Sequence, residues 1–169
     1  DDSFPGLNIV RTVPEEETKE LKAIHKGNAY DLPAQFKKSV CWFLCSAAIL
    51  RLRGHKKPIS MLVHTTAMQR SHFEEYDILK NWLLRGRSSG EILSLCESVY
   101  AVEKDEFTLE DLRNSYPKYG RINEVNGEFP DFVDIKPEIE LLLSHIENIM
   151  MAEDRSTDTR SMAWYINDM

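Results

Sequence analysis

Apolar positions recur at helical spacing through most of the chain and collapse into a short continuous block at one place. Phe36, Val40, Phe43, Leu44, Ala47, Ala48 and Leu50 follow a period near 3.6, and Trp42 and Ile49 widen the stripe, which predicts a helix buried on more than one side. Leu32-Pro33 opens it, and Gly54 ends it, with Arg51, Arg53 and His55 at the negative end of its dipole. Upstream, Leu7 to Val13 alternates loosely as a strand would. Pro14 with Glu15, Glu16 and Glu17 then starts a short helix that runs to about His25 and stops at Gly27-Asn28.

The continuous block is Ile59 to His64, flanked by Pro58 and a Thr pair, and it predicts a buried strand of the parallel-sheet type. Thr65 or Thr66 caps a following helix that carries Phe73, Tyr76, Leu79, Leu83 and Leu84 on one side. Arg85-Gly86-Arg87-Ser88-Ser89-Gly90 reads as a loop or hinge before a helix from about Glu91 to Val102. Thr108-Leu109-Glu110-Asp111 looks like a capped start. Residues 116–134 read as an irregular connection with a short strand near Ile122 to Val125. Pro137 begins an amphipathic helix with Ile139, Leu142, Leu143, Ile146 and Ile149 on its buried face.

These elements predict a helix-rich α/β fold, a partial RecA-like layer with a small, mainly parallel sheet plus additional helices. Residues 1–152 form one domain, with a sheet-containing part at 1–86 and a helical part at 87–152. Residues 153–169 form a linker and tail, in which the apolar patch Met162 to Ile166 docks back. The start at Asp1-Asp2-Ser3 has no signal-peptide pattern, and the chain reads as a segment of a longer protein.

Composition narrows the functions. With 42% apolar and 29% charged residues the chain belongs among globular domains, which excludes wholesale disorder. A net charge of −7 gives no general attraction to nucleic acid, so any such contact needs a local basic patch. Three cysteines, Cys41, Cys45 and Cys96, form no disulfide pattern. They read as buried thiols in a reducing compartment, and the expected location is the cytoplasm. The longest apolar run, Val40 to Leu52, is too short for a bilayer, so no membrane contact is expected.

Catalytic patterns mostly fail. Gly54-His55-Lys56-Lys57 lacks the glycine and Ser/Thr of a phosphate-binding loop. Glu17 and Lys19 form a nuclease-like Glu-x-Lys, but the only upstream acids are Asp1 and Asp2. No pair of histidines has a zinc spacing. No catalytic residue and no metal ligand is therefore assigned. The stretch from Leu32 to Arg70 is more informative: a strand end that feeds a helix N-terminus leaves backbone N–H groups and the Thr65 and Thr66 hydroxyls for an anion, with Gln69 and Arg70 beside them.

The same stretch resembles a known family. Leu32-Pro33 before an apolar helix, Ile49-Leu50-Arg51-Leu52-Arg53-Gly54, and Ser60-Met61-Leu62-Val63-His64-Thr65 are together similar to the Z1 domain, clearest over residues 30–70. That domain occurs in proteins of endonuclease and restriction type, downstream of a helicase-like ATPase domain. The resemblance implies a distant RecA-like second motor domain, non-catalytic by itself, that contacts nucleic acid or the interdomain cleft through Arg51, Arg53, Ser60, His64, Thr65, Thr66, Gln69 and Arg70. It also implies a parent protein that uses ATP and Mg and binds DNA, with the upstream ATPase domain and a nuclease subunit as partners. The chain itself is expected to hold no cofactor. The alternatives are a metal-dependent endonuclease domain and a protein-interaction module in which the helices of residues 91–152 dock a nuclease subunit.

Overall fold

The computed structural model describes residues 11–65, 69–106, 108–115, 128–145, 150–151 and 164–168; for 69–72, 109, 112, 150–151 and 164–168 it describes the backbone alone. The order is α1 (Glu15–His25), α2 (Ala34–Leu52), β1 (Ile59–Val63), α3 (Gln69–Ser89), α4 (Glu91–Glu106), α5 (Leu109–Ser115), α6 (Phe132–Ser144), β2 (Met150–Met151) and β3 (Trp164–Asp168).

Local signals set most of the helix ends. Pro14 and Pro33 stand immediately before α1 and α2, where a missing N–H costs nothing. At the end of α2 the Gly54 N–H donates to the Arg51 carbonyl at 2.8 Å and the His55 N–H to the Leu50 carbonyl at 2.9 Å. This paired closure needs a left-handed residue, and Gly54 supplies it at φ 81°. The end of α1 repeats the arrangement through Gly27 and Asn28. At α5 the Thr108 hydroxyl accepts from the Asp111 N–H while the Asp111 carboxylate accepts from the Thr108 N–H, both at 3.1 Å.

The core lies where α2 meets α4 and α6. Val40, Leu44, Ala47 and Ala48 of α2 pack with Ile92, Cys96, Val99 and Tyr100 of α4 and Ile135, Ile139 and Leu143 of α6. Small alanines let α2 sit closely between two neighbours, and burial of each large side chain contributes about 1.5–3 kcal/mol. Tyr100 is enclosed by Trp42, Phe129 and Phe132, and its hydroxyl donates to the Pro130 carbonyl at 2.6 Å.

The structure corrects the expected fold class. The sheet has the order β1-β3-β2, and both pairings are antiparallel, with Met61 opposite Ile166 and Met150 opposite the same residue. There is therefore no parallel RecA-like layer among the described residues. The physical reason is visible in β1: Ser60 and Leu62 are exposed, Leu62 at 56%, and only Val63 is fully buried. A parallel strand would be covered by helices on both faces; this one is covered on one.

Three further expectations change. The presumed loop at Arg85–Ser89 is the last turn of α3, which breaks only at Gly90. Gly86 is there for close approach, since a Cβ on it would lie 2.6 Å from Ile92 Cγ1 at the start of α4. The buried face of α3 is Glu75, Leu79, Trp82 and Leu83, whereas Phe73 and Leu84 are exposed. Helix α6 begins at Phe132, and Pro137 lies inside it; the N–H it lacks would have served the carbonyl of Val133, a residue 71% exposed. Of the expected strand Leu7 to Val13 only residues 11–13 are described, and they form no regular element; the expected strand Ile122 to Val125 lies outside the described residues.

Candidate functional site

The residues assigned to nucleic acid fall at the two ends of β1. At its start, Arg51 and Arg53 flank the closure of α2, and the turn continues through exposed His55, Lys56 and Lys57. No acid interrupts the stretch 51–57. Arg51 Nη1 donates to the His55 carbonyl at 2.9 Å and Arg53 Nη2 to the Glu128 carbonyl at 3.1 Å. Both arginines thus spend donors on holding the turn while keeping their charge. Ser60 is exposed on the strand between the two ends.

At the far end, His64 is exposed and Thr65 half-buried. Six extended steps lead from Pro58 to His64, about 20 Å. The basic turn and the Thr65 turn therefore stand at opposite ends of β1 and cannot close on one phosphate. Thr66 lies outside the described residues, and of Gln69 and Arg70 only the helical backbone is described.

What Thr65 does touch was not anticipated. Its hydroxyl lies 2.6 Å from both carboxylate oxygens of Glu75, and His25 Nε2 meets Oε1 of the same carboxylate. Glu75 is 0% exposed and the His25 side chain 10%. One buried carboxylate thus joins α1, α3 and the end of β1. The imidazole contacts the carboxylate and not the hydroxyl, so the three groups do not form the hydroxyl–imidazole–carboxylate chain of a catalytic triad. The arrangement is a polar clip: an acid buried without such donors would be strongly destabilising. It was readable in part from sequence, since Glu75 precedes Leu79 by four and Leu83 by eight and so shares their buried face.

The nuclease-like pair serves packing. Glu17 Oε2 accepts the Gln35 N–H at 2.7 Å and so caps the first turn of α2, and Lys19 pairs with Glu15 at 2.9 Å. Among the described residues no group of three or more His, Cys, Asp or Glu side chains is placed to hold a metal ion. The three cysteines are free and buried between α2 and α4. Hydrogen bonding to Cys41 and Cys45, with burial, holds the Cys96 thiol far above the ordinary range, so it packs as an apolar group. Among the described residues no helix is long and apolar enough to cross a membrane.

Residues 35–167 match the family model of the Z1 domain. No curated protein and no solved structure matches the chain.

Proposed function

The chain belongs to the Z1 domain family, and on that premise we propose that it is a non-catalytic, nucleic-acid-contacting part of an ATP-dependent, helicase-like DNA motor in a restriction or defence system. The reading keeps the motor and gives up the RecA-like layer. The observation that carries it is the acid-free basic turn, Arg51, Arg53, His55, Lys56 and Lys57, held outward on a chain whose net charge is −7. Such a patch works against the overall field, and phosphate backbones are the ligand that rewards it. In this reading ATP and Mg belong to the upstream ATPase domain of the parent, and DNA reaches the chain through that assembly.

The test is binding of a short DNA duplex over a salt series. Lys56→Ala with Lys57→Ala should weaken binding of all sequences alike and reduce the slope of log K against log salt by about 2, roughly one for each phosphate left without its lysine. An unchanged slope would remove the turn from the DNA interface. The endonuclease alternative no longer has its candidate acid, because Glu17 caps α2. The interaction-module alternative keeps one favouring observation: Val133 and Leu141 lie exposed at i and i+8 on the outer side of α6. Capture of a nuclease subunit by the unaltered chain, abolished in Val133→Asp, would establish it alongside the first.

A further inference from the structure

We propose that α1 carries a second phosphate-contacting surface, the row Lys19, Lys22 and Lys26 with Asn28, separate from the basic turn; this deepens the nucleic-acid reading above and rests on it. These residues, with Ala23, line an open groove of about 270 Å³. The sequence of α1 divides its charge, with Glu15, Glu16, Glu17 and Glu20 early and Lys22, His25 and Lys26 late. Positions 19, 22 and 26 are spaced i, i+3 and i+7, so the helix lines them up on one face.

What the neighbours do leaves that face positive. Glu15 neutralises Lys19, and among the described residues neither Lys22 nor Lys26 enters an ion pair. The Glu17 carboxylate is turned to the Gln35 N–H, and His25 is turned inward to Glu75. The amines step along the axis by about 4.5 and 6 Å, so Lys22 and Lys26, the two that Glu15 leaves positive, stand about 6 Å apart along one face. Ala23 keeps the groove floor low between them. Flexible ammonium groups on an apolar floor suit a repeating polyanion bound without regard to sequence.

The experiment measures binding of a short DNA duplex and of a single strand of the same length to the full 169-residue chain across a salt series, with poly-glutamate as competitor. Lys22→Ala with Lys26→Ala should lower the salt slope by about 2, with a circular-dichroism spectrum matching the unaltered chain, and the effect should add to that of the Lys56 and Lys57 changes. If only the Lys56 and Lys57 changes alter binding, the lysines serve only the C-terminus of α1 and this inference falls while the functional reading stands. If poly-glutamate displaces DNA at equal charge concentration, the face is a site for acidic protein and the inference also falls. If the unaltered chain binds neither nucleic acid, both readings fall.

Discussion

The packing of α2 against α4 and α6 and the packing of α1 against α3, to which Thr65 after β1 is joined, obey different rules. In the first region the buried groups are apolar or, like the thiols of Cys41, Cys45 and Cys96, act as if they were, apart from the Tyr100 hydroxyl on the Pro130 carbonyl, and specificity comes mainly from shape. In the second a fully buried acid, Glu75, needs two donors from two other elements, and exposed Leu62 lies one residue from buried Val63. Most substitutions in the first region take away only volume; one at Glu75 in the second strands two partners. The basic side chains proposed to contact phosphate stand around the second, on α1 and at the start of β1.

The largest expected effect tests the first rule. Ile139→Ala removes a side chain that is fully buried between α6 and its neighbours and should cost about 2–5 kcal/mol in urea unfolding. A cost below that range would show the region able to collapse around the gap. Glu75→Ala tests the second rule, with an expected destabilisation of about 3 kcal/mol from stranding the His25 and Thr65 donors. Thr65→Val removes only one donor and should cost less, about 1–2 kcal/mol. If the order is reversed, the carboxylate is not the centre of the clip.

The smallest effect concerns the one ionisable hydroxyl in the apolar region. Burial is the main cause that pushes the Tyr100 phenol up to about 12 from its ordinary 10. Between those values the unfolded chain releases the proton and the folded chain keeps it, so stability falls as pH rises from 10 to 12, by on the order of 1 kcal/mol. Tyr100→Phe should flatten that decline, as read from denaturation midpoints at about pH 9.5 to 11.5. A decline of equal steepness in the variant would assign it to other groups.

Much of the helical organisation was legible along the chain because its signals act over a few residues. Pro14, Pro33, Gly54 and the Thr108–Asp111 box mark ends that the structure reproduces, and residues 40–49 reveal a helix buried on several sides. The candidate site was legible only as a set of residue types. The strand read between Arg53 and Thr65 already sets them apart, but nothing local says that the Thr65 hydroxyl meets Glu75 or that Arg53 reaches the Glu128 carbonyl.

What the sequence by itself determined is where α1 and α2 begin and end and that α2 turns more than one side inward, since capping and periodicity depend on neighbours within a turn or two. What only the tertiary structure decided is strand direction, the continuation of α3 through Gly86 and the donors that meet Glu75. Each of those depends on a partner far along the chain: Ile166 for Met61, Ile92 for a glycine that tolerates its approach, and His25 for an acid fifty residues away. A short apolar block is compatible with either strand direction, and only the partner that folds beside it supplies the energy difference that selects one.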